Sequence, residues 1–160
     1  MRFSVIAIGK IKEPWMREGI AEYTKRLTPF ARVDVTEYDE ERWKGLPPPP
    51  SLKKQILQKE GEKLLKTVAP EDTVILLDTK GKPFTSEAFA SWIEARMTGG
   101  TSRFIWMIGG PLGNGANVQS RATLRISLGP VTLTHQMARL ILMEQLYRAM
   151  KIMHREPYHL

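Results

Sequence analysis

The chain has 160 residues, and 24 lysines and arginines against 17 aspartates and glutamates give a formal net charge of +7. This length suits one domain with a substantial core, but not a catalytic domain joined to a separate binding domain. The chain has no cysteine, which excludes disulfides and thiolate metal sites. A basic surface attracts polyanions, but charge alone does not separate a nucleic-acid binder from a basic protein without that role.

No apolar run approaches the length of about 18 residues that a membrane span requires. The amino terminus predicts a first strand, and not a signal peptide, because no small-residue cleavage site follows its short apolar run. We therefore expect a cytoplasmic protein with no membrane partner.

The first half of the chain alternates between strand and helix patterns. FSVIAIG (3–9) predicts a buried strand, and Glu13-Pro14 opens a helix whose apolar stripe is Trp15, Ile20, Tyr23 and Leu27. RVDVTEY (32–38) alternates between apolar and polar residues, as a half-buried or edge strand does. A charged loop that closes with PPPP favours a stiff spacer over a lid or a partner contact. Ser51 is then predicted to cap a second helix.

The second half continues the alternation. TVILLD (73–78) predicts a buried strand followed by a turn at KGKP, and Ser86 begins a helix that ends at Gly99-Gly100. RFIWMIGG is a third apolar strand, Thr123 to Gly129 is the fifth strand overall, and Thr134 caps a final helix to about Met153. The pattern indicates an α/β fold with a mostly parallel sheet of five to six strands and helices on both faces.

Two glycine- and proline-containing loops follow late strands: MIGGPLGNG (107–115) and SLGPVTLTH (127–135). Neither loop matches a P-loop or the G-x-G-x-x-G dinucleotide fingerprint, so a nucleotide-phosphate site is disfavoured. Both loops lie at the carboxyl edge of the predicted sheet, where α/β proteins bind ligands. Two ordinary tight turns are the alternative.

The final helix carries more apolar residues than one stripe can hold. These are Met137, Leu140, Ile141, Leu142, Met143, Leu146, Tyr147, Met150, Ile152 and Met153. Pairing with a second copy of the helix explains this excess better than burial inside so small a monomer, so we expect a homodimer. The same helix places His135 and Arg139, and Glu144 and Arg148, four residues apart on shared faces. Glu144–Arg148 is either a surface ion pair or a partly buried functional pair.

The motifs IGGPLG, LGPVTLTHQMAR, EQLYRA and PYH occur in this order, with IAIGK, EGE and DTKGK before them. This combination resembles the small bacterial SPOUT-class (α/β-knot) methyltransferases, and among them those that methylate N3 of a pseudouridine in 23S ribosomal RNA. The resemblance runs over nearly the whole chain. It implies a single SPOUT domain over 1–160, with a deep C-terminal trefoil knot over approximately 73–160 that binds S-adenosylmethionine. Composition alone would not suggest a knot, because threaded chains are rare.

The resemblance also implies the residues of the site. Those expected to line the cofactor site are Leu77, Gly109, Leu128, Gly129, Pro130, Val131, Thr132 and Leu133. Those expected to take part in catalysis are His135, Arg139, Glu144, Arg148, Tyr158 and His159. No metal is expected, since the three histidines lack a ligand pattern with supporting carboxylates. Leu160 stands where the family commonly has lysine or arginine, which puts a phosphate contact from the last side chain in doubt.

Methyl transfer to an imide nitrogen requires alignment and stabilisation of negative charge on the flanking carbonyl oxygens. We expect Arg148, with Arg139, to provide that stabilisation, Glu144 to position Arg148, and His159 or His135 to accept the proton. The implied substrate is large-subunit ribosomal RNA, within the assembled ribosome. Basic residues near the amino terminus are candidate phosphate contacts, although each also fits a solvated helix face: Lys10, Lys12, Arg17, Lys25 and Arg26. The alternatives are a ribose 2′-O-methyltransferase of the same class and a non-catalytic ribosome-associated binder.

Overall fold

A computed structural model describes residues 1–45 and 47–159. Its elements alternate along the chain between strands and helices, in the order β1 (Arg2–Ile8), α1 (Pro14–Leu27), β2 (Arg32–Tyr38), α2 (Pro50–Leu65), β3 (Thr73–Pro83), α3 (Ser86–Thr98), β4 (Arg103–Ile108), α4 (Ala116–Arg121), β5 (Leu124–Ser127) and α5 (His135–Met153). Among the described residues, none of the helices combines the length and the apolar character that a membrane crossing requires.

The five strands form one sheet in the order β2-β1-β4-β3-β5, and every neighbouring pair is parallel. The predicted α/β architecture is therefore confirmed. β2 lies at an edge and is half-buried, as its alternating sequence predicts. Because all strands run in the same direction, their carboxyl ends meet along one edge of the sheet.

Helices cover both faces of the sheet, and this explains why the buried stretches 5–8 of β1, 74–77 of β3 and 104–108 of β4 consist of apolar residues only. Phe3, Val5 and Ala7 of β1 belong to a core that also includes buried residues of α1, α3 and α5. Ile6 and Ile8 point to the opposite face and belong to a smaller core beneath α2 and α4. Successive residues thus face different helices, so each of them is apolar.

Three local predictions were wrong. Trp15 is 53% exposed, and the neighbouring Met16 is buried in its place. Ser51 does not cap α2, because the helix begins at Pro50 and Pro49 occupies the cap position without a side-chain bond. KGKP is not a turn that ends β3, since Lys82 and Pro83 pair with Ile126 and Ser127 of β5.

The extension of β3 brings its backbone close to β5 at Gly81. Leu77 and Lys82 both pair with Ile126, so residues 78–81 form an irregularity between two paired segments. A Cβ atom at Gly81 would lie 2.5 Å from the carbonyl carbon of Ile126 and 2.7 Å from its nitrogen. Since backbone atoms cannot move aside as a side chain can, only glycine fits here.

We expect Gly81→Ala to lower the free energy of unfolding by about 1–3 kcal/mol, because the added methyl group forces β3 away from β5. Urea unfolding followed by circular dichroism measures the change. Gly99→Ala is the matched control, since Gly99 has a φ of −75° and its nearest atom would be the Ala95 oxygen at 3.3 Å. Equal stability of the Gly81 variant and the wild type would contradict the close approach.

Candidate active site

A cavity of about 1100 Å3 opens at the carboxyl edge of the sheet, beside the ends of β3, β4 and β5. Its volume is slightly above the range of about 300–1,000 Å3 that is typical of small-molecule sites. Seven of the eight residues expected at a cofactor site line it: Leu77, Gly109, Leu128, Gly129, Val131, Thr132 and Leu133. Pro130 lies in the same loop but is not part of the lining. The two glycine-containing loops thus face one space.

Four glycines, at positions 109, 110, 113 and 129, contribute to the cavity wall. A Cβ atom at Gly109 would lie 2.3 Å from Oδ1 of Asn114 and 2.6 Å from the Gly113 oxygen. Gly129 has a φ of +126°, which side chains other than glycine rarely permit. Ser127 holds this conformation, because its Oγ accepts from the Gly129 nitrogen at 3.2 Å and donates to the Gly129 oxygen at 2.9 Å. Gly109 is therefore required by the close approach of its own loop, and Gly129 by its positive φ.

A chain of polar side chains braces one wall of the cavity. Asn114 Nδ2 donates to the Leu77 oxygen at 2.9 Å, and Gln119 Nε2 donates to the Asn114 oxygen at 2.8 Å. Arg125 in turn donates to Oε1 of Gln119 at 3.0 Å. These bonds join the ends of β3 and β5 to the loop after β4. Neither the glycine pattern nor the resemblance predicted these residues.

His135 and Arg139 lie on the first turns of α5 and contact the carboxyl ends of β1 and β2. The Arg139 side chain is wholly buried, pairs with the Glu37 carboxylate and donates to the Gly9 oxygen at 2.9 Å. Burial lowers the pKa of Arg139, while the nearby Glu37 carboxylate opposes this shift. Arg139 thus fastens α5 to the sheet.

His135 lines the cavity, and its Nε2 lies 3.2 Å from Oε1 of Glu40 without the alignment of a hydrogen bond. Burial lowers the pKa of His135, although Glu40 opposes the shift. The imidazole is therefore held in its neutral form near pH 7.

The other four candidate catalytic residues form a separate network near the end of α5. Arg148 donates from Nε and NH2 to Oε1 of Glu144, at 3.1 and 2.5 Å. The Tyr158 hydroxyl donates to the same oxygen at 3.1 Å, and the Arg148 guanidinium lies 4.8 Å from the Tyr158 ring centroid. Burial raises the pKa of Tyr158, so its hydroxyl remains a donor. The carboxyl-terminal segment thus folds back on α5.

His159 completes this network and joins it to α3. Its Nδ1 lies 3.3 Å from NH1 of Arg148, and its Nε2 lies 2.8 Å from Oε1 of Glu87. The bond to His159 is the main reason why the pKa of Glu87 falls to about 2. Gln145 adds a second link, because it donates to Oε2 of Glu144 at 2.7 Å and accepts from Ser86 Oγ at 2.9 Å. Sequence reasoning missed Glu87, Ser86 and Gln145.

The candidate catalytic residues therefore form two groups in one chain. Arg148 lies thirteen positions after His135, which corresponds to about 20 Å of helix at 1.5 Å per residue. None of the residues Glu144, Arg148, Tyr158 and His159 lines the cavity. The structure does not bring this network to the cavity within a single chain.

Within residues 1–45 and 47–159, no group of three or more His, Asp or Glu side chains is arranged to hold a metal ion. Leu160, which stands where the family commonly has lysine or arginine, lies outside the described residues.

A parallel sheet whose carboxyl edge carries two facing glycine loops is the architecture implied by the resemblance. The family model described as "Predicted SPOUT methyltransferase" matches residues 1–159, and the chain belongs to this family. The family match confirms the predicted class of enzyme, a methyltransferase whose methyl donor is of the S-adenosylmethionine type.

The chain is also similar to proteins named "Ribosomal RNA large subunit methyltransferase H". The relative from Carboxydothermus hydrogenoformans is 46% identical over 159 residues, and the one from Halothermothrix orenii is 46% identical over 161 residues. The relative from Streptococcus gordonii is 43% identical over 159 residues. Each alignment covers 99% of both chains.

The buried, neutral His135 makes stability depend on pH. Its pKa is lowered in the folded state, so the unfolded chain takes up the proton first, at about pH 6.5. We expect the free energy of unfolding of the wild type to fall, relative to that of His135→Asn, as the pH drops from 7.5 to 5.5. Urea titrations of both proteins at both pH values measure this difference. A difference that stays constant between them would contradict a neutral, buried His135.

Proposed function

We propose that this protein transfers the methyl group of S-adenosylmethionine to N3 of a pseudouridine in large-subunit ribosomal RNA, within the assembled ribosome. The observation that carries the proposal is the cavity, because the residues which the resemblance assigns to the methyl donor converge on it from separate segments. The names of relatives that align with the chain from end to end support the RNA substrate.

The cavity fits S-adenosylmethionine. A flat base needs a wall without projecting side chains, and backbone at Gly109 and Gly129 provides one. Leu77, Leu128, Val131 and Leu133 offer apolar contact, and the exposed backbone groups of the loops are available to polar atoms of the donor. When bound, the donor supplies a methyl group on a sulfonium, which is already a good leaving group. The protein then has mainly to align the reacting atoms.

Arg148 is positioned to stabilise negative charge on the base. A guanidinium has five N–H donors, of which three are directed at Glu144 and His159. Two donors remain, one on each terminal nitrogen, and we assign them to the carbonyl oxygens that flank N3. When the N3 proton leaves, negative charge develops on those oxygens, and a fixed cation stabilises it. Hydrogen bonding to Glu144 raises the pKa of Arg148, so the cation persists.

Two histidines are candidate acceptors of the N3 proton. His135 lines the cavity and is neutral, so it has a lone pair near the expected methyl donor. His159 belongs to the Arg148 network, where both of its nitrogens already have partners. Arg139 binds the Gly9 oxygen and so holds α5 on the sheet. We assign Arg139 this structural role, and we do not expect it to contact the base.

We further propose a homodimer in which the Arg148 network of one protomer faces the cavity of the other. The distance along α5 supports this arrangement, since one chain alone keeps the two parts apart. α5 also retains partly exposed apolar side chains that a second copy could cover, at Met137, Leu140, Ile141, Tyr147, Ile152 and Met153. Burial of these side chains would favour association by several kcal/mol, at about 25 cal/mol per Å2.

We also propose the finer features of the fold that the resemblance implies. We propose one SPOUT domain over 1–160, with a trefoil knot over approximately 73–160 that brings the two loops together, in a cytoplasmic protein. Lys10, Lys12 and Arg17 lie around the start of α1 in the sequence. Met16 of α1 and the preceding Glu13 line the cavity. We propose these basic side chains as contacts for RNA phosphates at the cavity entrance.

Mass mapping of large-subunit RNA tests the reaction. In a strain without the gene, we expect one pseudouridine to lack a base methyl group, and the wild-type protein to restore it. Arg148→Ala should lower the methylation rate at least 100-fold, because one charge-stabilising donor typically supplies about that factor. It should leave the affinity for S-adenosylmethionine within about twofold by calorimetry.

Two other outcomes of the mapping would contradict the proposed reaction. A methyl group on a ribose 2′-oxygen would replace the proposal with the other SPOUT reaction. Unchanged RNA, together with no binding of S-adenosylmethionine, would indicate a non-catalytic binder.

Complementation tests the shared site. Gly109→Val should displace the loop after β4 from the cavity wall, because its Cβ would lie within 2.6 Å of Asn114 Oδ1 and the Gly113 oxygen. Arg148→Ala should remove the cation, so each variant alone is inactive. Equal amounts of the two variants are mixed, dissociated and allowed to reassociate, so that about half of the dimers contain one copy of each variant. Each of these heterodimers has one intact site out of two. The mixture should therefore recover about a quarter of wild-type activity. No recovery in a mixture whose heterodimers are verified by mass spectrometry would contradict a site built from two protomers.

A further inference from the structure

The first turn of α3 contacts the Arg148 network at two points, and the proposed reaction gives this turn no part. Glu87 contacts His159, and Ser86 contacts Gln145, which in turn donates to Glu144. Thr85 caps the helix by accepting from the Ala88 nitrogen at 3.2 Å, so the turn that carries both side chains is anchored. A fixed helix end thus supports the flexible side chains around Arg148.

The partners of His159 determine which of its nitrogens carries the proton. Arginine can only donate hydrogen bonds, so Nδ1, at 3.3 Å from NH1 of Arg148, must be the unprotonated nitrogen. A carboxylate can only accept, so Nε2, at 2.8 Å from Oε1 of Glu87, must carry the hydrogen. Both contacts are satisfied by a single form, the neutral imidazole with its hydrogen on Nε2.

We propose that Glu87 is a positioning residue, which fixes His159 as the Nε2–H tautomer so that Nδ1 holds the Arg148 guanidinium in place. This inference rests on the proposed function and extends it. Glu87 acts on the reaction through His159 and Arg148 and does not touch the base. His159, whose only lone pair is directed at Arg148, is then an orienting group, and His135 remains as the acceptor of the N3 proton.

The orientation of the Arg148 guanidinium depends on two partners that bind different atoms of it. Glu144 binds Nε and NH2 through one oxygen, which leaves rotation about that oxygen weakly restrained. His159 binds NH1 from another direction and removes this freedom. The two remaining N–H donors are aimed only when both partners are in place. A small misplacement of such donors is costly in a transition state.

Substitution of Glu87 by glutamine or by alanine separates two effects of this side chain: its acceptance of a hydrogen bond and its negative charge. Glu87→Gln retains an oxygen that can accept from Nε2–H, whereas Glu87→Ala removes the acceptor. We expect Glu87→Ala to lower kcat about three- to tenfold, the loss that corresponds to one partly exposed hydrogen bond. The dissociation constant for S-adenosylmethionine should not change. Glu87→Gln should recover most of the lost kcat. Glu94→Gln, at an exposed position on the same helix, is the control for a change of surface charge.

Nitrogen-15 NMR of the histidine rings reads the tautomer directly and does not depend on activity. We expect the wild-type His159 to give an unprotonated Nδ1 and a protonated Nε2 at pH 7.5, and Glu87→Ala to give a mixture of tautomers. A wild-type His159 with its hydrogen on Nδ1, or with both nitrogens protonated, would overturn the inference. So would an unchanged kcat in Glu87→Ala.

The two readouts also distinguish the inference from the proposed function. The expected tautomer in a protein that methylates no RNA would contradict the function alone. The wrong tautomer in an active methyltransferase would contradict the role of Glu87 alone.

Discussion

The parallel pairing of β3 with both β4 and β5 is the constraint on which the rest of the structure depends. It places the carboxyl ends of three strands side by side, so that the loops after β4 and β5 share one space. Glycine at position 109 lets the first loop pack closely on Asn114 and Gly113, and glycine at position 129 permits the φ of +126° with which the second loop turns. A cavity at this edge of the sheet, with glycine in both of its loops, therefore follows from the strand order together with two sequence positions.

The final helix connects this cavity to the Arg148 network. α5 begins at the cavity wall with His135, and Arg139 fixes it to the sheet through the Gly9 oxygen and Glu37. The helix then carries Glu144 and Arg148 away from the cavity, to the point where the carboxyl-terminal segment folds over them. Arg139 thus sets the direction of the helix, and the helix sets the distance between cavity and cation. In the proposed homodimer a second copy of the chain bridges that distance, and this would link the apolar surface of α5 to the proposed reaction.

Much of the fold follows from the sequence, because burial leaves a clear pattern. The apolar runs in β1, β3 and β4 and the alternation in β2 identify their places in the sheet, and Thr134 caps α5 as predicted. The extension of β3 through Lys82 and Pro83 could not be predicted, because pairing with β5 overrides the turn-forming character of KGKP. The exposure of Trp15 escaped prediction for a related reason, since the apolar stripe of α1 fits either Trp15 or Met16. The candidate site came mainly from the resemblance. Contacts such as that of His159 with Glu87, 72 positions away, have no signature along the chain.

A crystal structure of the protein with S-adenosylhomocysteine would show both where the ligand binds and which protomer supplies the nearby cation. We expect the ligand between the loops after β4 and β5, against Gly109 and Gly129, with Arg148 of a second copy facing the open side of the cavity. A ligand bound elsewhere, or a cavity that no second copy approaches, would contradict this expectation.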